Sequence, residues 1–583
     1  MLQRWMGFFW LSLCLVALLP CPASAAEITL VREGEPTATI VLAAQPTKAA
    51  QLAAYELQYH VALITGATLP VANEGDTVTG TRILVGDSTA TQALGLRNAD
   101  LKLQEYLIDF RPETLVLLGH DDDDRSEVKY EDYLTFPDLW TERGTLSATY
   151  EFLEDFLGVR WFRSGEFGMD YPRETTLTVS GETRRKTPAF RHLYSYIAGS
   201  ISGGIWNKAV SNWVPAEPES AFSESIIYPD LQEKYKPTSR EYLAVIRRDT
   251  ALFLLRRRMG GEPFSANHSF YGYYDRFWKE NPKRPELWEG HRPEYFATDS
   301  LDKDGRPYQM AFHNRAFIAQ VVKDAREYFE TGKAYPGAMA QGDYFGVAPM
   351  DNRLYGEAPE VRAWRNDEAA KPGMFSNGVW SDYIWNFTNE VAKQLVEDYP
   401  DKYITQIAYA GMAYPPTDRV PILSPNIAIM LCVPEVVSWY NPAERENMLE
   451  MIAGWRKKAP TNPLYAWCYY NFPKFYTFRN PKAFHFFPLV NAHTWNAQIK
   501  LFHREGFRGV FMEDVPTDVD GYLVLKLWQD PTANVDDLLD EYFTRYYGHA
   551  AAPMKKIYEK MEAINADGSN YMMGVHRASS PVV

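Results

Sequence analysis

Cysteine is scarce, with four in 583 residues. That excludes a fold built on a disulfide framework. Two of the four, Cys14 and Cys21, fall in the N-terminal leader described below. Cys432 and Cys468 remain, each inside an expected strand, and are read as buried, unpaired thiols. Positive charge is also short: 60 Lys and Arg face 75 Asp and Glu, for a net charge of −15. An acidic chain of this kind is a poor partner for nucleic acid or anionic lipid. Beyond the leader no apolar run is long enough to span a bilayer.

Several chemistries are missing as motifs. There is no GxxxxGK followed by Ser or Thr, and no GxGxxG after a strand. Gly199-Ser200-Ile201-Ser202-Gly203 places its serines at the wrong offsets for a nucleophile elbow. HExxH is absent. The eleven histidines are scattered, and His485 and His493 are too far apart on one element for joint ligation. No metal or cofactor is expected. Arg256-Arg257-Arg258 is a short basic cluster in an acidic protein and reads as local ion pairs. Asp121–Asp124 reads as a solvated acidic loop. Low-complexity tracts and short repeats are absent.

What is abundant is aromatic: Trp 16, Tyr 37 and Phe 31, or 14% of the chain. With 46% hydrophobic residues and a mean hydropathy of −0.35, the chain is a folded, multi-domain protein. Residues 1–25 read as a signal peptide: Arg4, the apolar run Leu11–Leu19, and Ala23-Ser24-Ala25 before the cut. The expected product is exported, to the periplasm, the cell surface or the medium. Pro20 before Cys21 is a poor lipoprotein box, so lipidation is not expected.

Residues 26–185 read as a small α/β domain. Its signals are strands at Glu27–Val31, Thr39–Leu42 and Ile83–Val85, helical spacing over Lys48–Thr65, a hairpin across Tyr106–Leu118, and an amphipathic helix at Gly144–Leu157. From 186 to 530 strand and helix signals alternate. Strands are expected at Arg191–Tyr196, Ser265–Phe270, Tyr344–Val347, Tyr403–Tyr409, Ile427–Val433, Leu464–Tyr470 and Gly509–Met512. Helices are expected at Arg240–Arg257, Asn314–Phe329, Val379–Glu397, Pro442–Lys457 and Thr494–Glu505. Repeated βα units imply parallel strands and an α/β fold, a (β/α)8 TIM-type barrel whose eighth strand has the weakest signal. Residues 531–583 read as a helical C-terminal segment that ends without a helix stop, so a longer full-length protein stays open.

In such a barrel the acting residues sit at the C-terminal ends of the strands. That rule selects His268, Asp351, Asn352, Tyr409, Glu435, Trp467, Tyr469, Asn471, Glu513 and Asp514. Carboxylates, amides and aromatic faces together suit a sugar. Glycosidic cleavage needs a proton donor for the leaving group and a second group to support an oxocarbenium-like transition state. Glu513 is the candidate acid/base, with Asp351 and Asp514 as its candidate partners. His268, Asn352, Tyr409, Glu435, Trp467, Tyr469 and Asn471 are candidate substrate ligands. Asn267-His268-Ser269 and Asn386-Phe387-Thr388 match the N-glycosylation pattern.

Several stretches together carry a family resemblance. They include Arg143-Gly144-Thr145-Leu146 running into Tyr150-Glu151-Phe152-Leu153-Glu154, Gly158-Val159-Arg160-Trp161-Phe162, Arg258-Met259-Gly260, His291-Arg292-Pro293-Glu294-Tyr295-Phe296, Tyr399-Pro400-Asp401-Lys402 and Tyr546-Tyr547-Gly548. They resemble a bacterial family first catalogued as a domain of unknown function, which includes endo-β-N-acetylglucosaminidases acting on complex N-glycans (glycoside hydrolase family 163). The leading domain is similar to the one preceding the barrels of α-glucuronidases and β-hexosaminidases. The resemblance implies a retaining, substrate-assisted glycoside hydrolase with no cofactor and a glycan substrate. The segments ending in Asp351 and Glu513 are the ones that match the family's third- and seventh-strand stretches. Asn352–Gly356 departs from it by lacking a cysteine cluster. Two other readings stay open: an α-glucuronidase-like hydrolase using Arg256–Arg258 or Arg353 against a uronate, and a non-catalytic glycan-binding barrel.

Overall fold

The computed structural model describes residues 26–197, 240–371, 377–434, 439–469, 490–515 and 519–567. The fold is α/β: a TIM-type barrel sheet, preceded by a small α/β domain and followed by helices.

The leading domain holds a six-stranded sheet built from β1 (Ala38–Leu42), β2 (Val71–Asn73), β3 (Thr81–Val85), β4 (Tyr106–Arg111), β5 (Thr114–Gly119) and β6 (Arg184–Lys186), in the order β6-β4-β5-β3-β1-β2. Two helices pack on it, α1 (Lys48–Thr65) and α2 (Gly144–Asp155). Thr47 caps α1 by accepting from the Ala50 amide, and Gly66 ends it in the left-handed conformation, as capping chemistry favours.

Asp121 departs from its expected place in a solvated loop. It is buried, accepting at Oδ1 from the Thr145 amide at the start of α2 and at Oδ2 from the Thr47 hydroxyl beside α1. Burial outweighs these donors and pushes its pKa up to about 6. A carboxyl whose folded pKa exceeds its unfolded value binds its proton more tightly when folded. Its contribution to stability is therefore present below about pH 4 and is lost as pH rises toward 6, by roughly 3 kcal/mol. We expect Asp121→Asn to flatten the loss of stability between pH 4 and pH 7 in denaturant titrations. Parallel wild-type and variant profiles would contradict this.

The barrel sheet is formed by β7 (His192–Ile197), β8 (Tyr344–Gly346), β9 (Tyr403–Ala408), β10 (Ile427–Cys432), β11 (Leu464–Tyr469) and β12 (Gly509–Val515). These six are parallel to one another, in the order β7-β12-β11-β10-β9-β8, and the short strands Gly260–Gly261 and Ala340–Gln341 add antiparallel at the two edges. β12 pairs directly with β7, so the last and first strands of the series are neighbours. The expected strand at Ser265–Phe270 reduces to a single parallel bridge between His268 and Ala348. Gly260–Gly261 pairs antiparallel with the start of β7. The segment 260–268 thus runs from the β7 edge to the β8 edge. Both glycines have positive φ, and a Cβ on Gly260 would lie 2.0 Å from the Leu139 carbonyl oxygen. Only glycine fits there.

Helices α3 (Arg240–Arg256), α4 (Arg315–Thr331), α5 (Ser381–Lys393), α6 (Pro442–Lys458) and α7 (Ala492–Arg504) match the expected helices to within a few residues, except that α5 stops four residues early. Asn314 and Asn441 cap α4 and α6. The rings of Trp385 on α5 and Trp455 on α6 meet edge-on at 4.5 Å. After the barrel come α8 (Val519–Gln529), α9 (Val535–Tyr547) and α10 (Ala551–Ala566). In the glycosylation motifs Ser269, Phe387 and Thr388 are fully buried, while Asn267 and Asn386 are half-buried. Cys432 and Cys468 are free and buried, as expected.

Arg256, Arg257 and Arg258 form ion pairs between the barrel and the leading domain. Arg256 pairs with Glu56, Arg257 with Glu154, and Arg258 with Glu151 and Glu154. The local-pair reading holds. Their role as cations for a uronate does not, because these guanidinium groups are committed to glutamates of the leading domain.

Candidate functional site

Strand parity builds the site. Alternate residues of a strand share a face, and the register joins those faces across strands. Tyr465, Trp467 and Tyr469 of β11 stand opposite Gly509, Phe511 and Glu513 of β12. His192 and Tyr194 of β7 stand opposite Gly509 and Phe511. Ile407 stands opposite Met430, Met430 opposite Tyr465, and Cys432 opposite Trp467. These residues line one face of the curled sheet in layers.

The deepest layer is closed by Glu262. Its carboxylate accepts from the hydroxyls of Tyr344 and Tyr465 at 2.7 and 2.8 Å and is paired with Arg508. A middle layer is aromatic: Phe511 meets Trp467 edge-on at 4.6 Å and stacks toward Tyr194 at 5.9 Å. The layer at the strands' C-terminal ends is polar and partly open. It contains Tyr409, Cys432, Tyr469 and Glu513, with Asp351 and His268 on the adjoining segments.

In this last layer the side chains are linked. The Trp467 indole N–H donates to Glu513 Oε2 at 3.2 Å. The Tyr469 hydroxyl acts on the Cys432 thiol, and the Asp351 carboxylate acts on the Tyr409 hydroxyl. His268 Nε2 lies 3.5 Å from Asp351 Oδ1, while Nδ1 contacts the Pro349 carbonyl. The rings of His268 and Tyr409 are 6.0 Å apart. Burial pushes the Cys432 thiol up, helped by the charges of both Glu513 and Asp351. Burial and Asp351 do the same to the Tyr409 hydroxyl. One thiol thus feels two carboxylates, one from β12 and one from the segment after β8.

Two backbone irregularities shape this end. Ser195 pairs with Met512 but Ile197 with Val515, so Glu513 and Asp514 together oppose Tyr196. Such a bulge re-aims side chains and recurs beside active sites. Ala410, directly after Tyr409, has φ of 51°. A left-handed alanine is sparsely populated and stays only where its surroundings enforce it.

Of the expected site residues, the structure brings together Asp351, Glu513, His268, Tyr409, Trp467 and Tyr469. Glu513 lies inside β12 rather than beyond it. Asp514 belongs to the same strand, but its side chain is outside the described residues, as are Glu435 and Asn471. Asn352 departs from its expected role as a substrate ligand. Its amide nitrogen donates to the Tyr308 carbonyl, and its amide oxygen accepts from the Leu354 amide and from Gln309. It shapes the loop.

Cys432 and Tyr271 were missed by sequence reading. The inward parity of β10 was a usable signal for Cys432. Nothing local marked Tyr271, whose hydroxyl accepts from the Asp351 amide at 3.2 Å. Among the described residues no group of three or more His, Cys, Asp or Glu is placed to hold a metal. No described helix is long and apolar enough to cross a membrane.

Carboxylates and aromatic side chains thus gather at the C-terminal end of the barrel sheet. The chain belongs to the DUF4838 family, described as a domain of unknown function, whose model matches residues 169–560. No curated protein matches it in sequence. Among solved structures it is similar to a family 115 4-O-methyl-α-glucuronidase with specificity for decorated arabinogalactans, at 12% identity and TM-score 0.48, over 92% of this chain and 62% of that one. It is also similar to a family 89 glycoside hydrolase from Clostridium perfringens in complex with 2-acetamido-1,2-dideoxynojirmycin. There the identity is 10% and the TM-score 0.42, over 89% of this chain and 53% of that one. The chain therefore spans about half to two thirds of the length of these structures.

Proposed function

We propose that the protein is an exported glycoside hydrolase acting on N-acetylhexosamine-containing glycans, in the manner of an endo-β-N-acetylglucosaminidase. The observation that carries this reading is the placing of Glu513, bonded to the Trp467 indole, and Asp351, beside His268, at the C-terminal end of an aromatic-lined barrel sheet. In this reading Glu513 is the acid/base, giving its proton to the leaving oxygen and then activating water. Asp351 steadies the substrate's acetamide as that group attacks the anomeric carbon. The Tyr409 hydroxyl and the His268 imidazole hold Asp351 for this task, and Trp467 offers a ring face to the pyranose. Asp514 is a second candidate for the acetamide partner.

The test is hydrolysis of a glycoprotein N-glycan panel and an aryl N-acetyl-β-glucosaminide by wild type and Asp351→Asn. We expect release of glycan by wild type and a loss of about 100-fold or more in the variant. A wild-type protein inert toward every member of the panel would refute the reading and favour a glycan-binding barrel.

One observation favours a second reading, an α-glucuronidase-like hydrolase. Arg353 is exposed and close enough to Tyr409 and Tyr355 for its charge to act on both hydroxyls. A guanidinium there suits a uronate carboxylate. Cleavage of glucuronosyl but not N-acetylhexosaminyl substrates would select it.

A further inference from the structure

The segment 271–314, between the His268 bridge and α4, is long for a βα connection. It is nonetheless well tied. Phe296 and Met310 bridge antiparallel, as do Leu301 and Pro307, so the segment carries a hairpin. Gln309 sits on its returning limb, fully buried.

The Gln309 side chain is directed at the turn that carries Asp351. Its Nε2 donates to the Met350 carbonyl at 2.7 Å, to the Asn352 carbonyl at 3.0 Å and to Asn352 Oδ1 at 3.1 Å. Its Oε1 accepts from the Met350 amide at 3.2 Å. The amide thus mimics a peptide group pairing with Met350, and it holds the residue on each side of Asp351. The same segment supplies the Tyr271 hydroxyl for the Asp351 amide and the Tyr308 carbonyl for the Asn352 side chain. Asp299 accepts from the Glu357 amide further along the loop.

We infer that Gln309 is a positioning residue for Asp351, and that the 271–314 segment exists in this fold partly to build the turn on which that carboxylate stands. The inference rests on the glycosidase reading for its kinetic consequences only. Asp351 is exposed and its own strand ends at Gly346, so β-sheet pairing does not set its direction. A buried amide with donor and acceptor both engaged does.

Gln309→Glu is the discriminating variant. It keeps the shape but, when ionised, places a carboxylate against three oxygens, the Met350 and Asn352 carbonyls and Asn352 Oδ1. When the introduced carboxyl is protonated it regains one donor. We expect kcat on the aryl glycoside to fall 10- to 100-fold at pH 8 with KM changed less. We expect the deficit relative to wild type to shrink as pH falls. Gln309→Leu should lose activity at every pH. Hydrogen exchange of the peptide spanning 345–357 should speed up in both variants, and this readout needs no activity. Wild-type kcat at all pH values in Gln309→Glu, with Asp351→Asn inactive, would overturn the inference while leaving the glycosidase reading intact. Unchanged exchange at 345–357 would overturn it whatever the substrate proves to be. Activity unaffected by Asp351→Asn would instead remove the reading on which the kinetic arm depends.

Discussion

Glu513→Gln lowers kcat on an N-acetyl-β-glucosaminide by about 10²–10⁴-fold, the range of general acid–base catalysis, and leaves the protein folded. Gln keeps an oxygen that accepts from the Trp467 indole at the position of Oε2, so the side chain stays in place. What is lost is the transferable proton. Its neighbours on the same face are Phe511, Trp467 and Tyr469. Circular dichroism and melting temperature would confirm that the fold survives, and steady-state kinetics would report the loss. Equal activity in variant and wild type would remove Glu513 from the mechanism.

Glu154→Ala destabilises the protein by about 3–5 kcal/mol, the cost of leaving buried charges without their partner. Glu154 on α2 is fully buried and meets three cations. Lys526 lies at 2.7 Å and Arg257 at 3.5 Å from Oε1, and Arg258 at 2.5 Å from Oε2. Burial alone raises the carboxyl's pKa. Lys526, Arg258 and Arg257 overcome that and hold it well below the usual carboxylate range. The pairs join the leading domain to Arg257 and Arg258 beside the barrel and to Lys526 on α8. Removing the glutamate therefore loosens three parts of the chain at once. Denaturant unfolding would measure the change, and a cost below about 1 kcal/mol, the scale of an exposed pair, would contradict the account. Lys526→Met in the same background should recover part of the loss, since it removes one of the stranded charges.

The periodic elements were legible in the sequence. Lys48–Thr65 is a helix over the range that its 3–4 spacing predicts. The strands from Tyr403 to Gly509 fall within a residue of their expected starts, because a buried parallel strand is a short apolar run between turn signals. The positions of the candidate residues were legible as far as strand ends are: Asp351, Tyr409, Tyr469 and Glu513 gather at one end of the sheet, with Trp467 one layer below, because parallel strands bring their C-terminal ends together.

What escaped the sequence is tertiary. Ser265–Phe270 has strand character, but its neighbours come from two directions and leave only a bridge at His268. Asp121 sits in an acidic run that looks solvated, yet it is drawn inside by Thr47 and Thr145, 74 and 24 residues away. Asn352 looked like a sugar ligand because amides at strand ends bind hydroxyls. Its partners, Tyr308 and Gln309, belong to a segment with no periodic signal to place it.

The central claim is that Asp351 and Glu513 work together on one bound glycan. A double-mutant cycle with Asp351→Asn and Glu513→Gln, read as kcat/KM on an N-acetyl-β-glucosaminide, tests it most directly. If the two act as a unit, each single variant is severely impaired, and the double variant is little worse than the weaker single one. Fully multiplicative losses, or wild-type rates in either single variant, would contradict it.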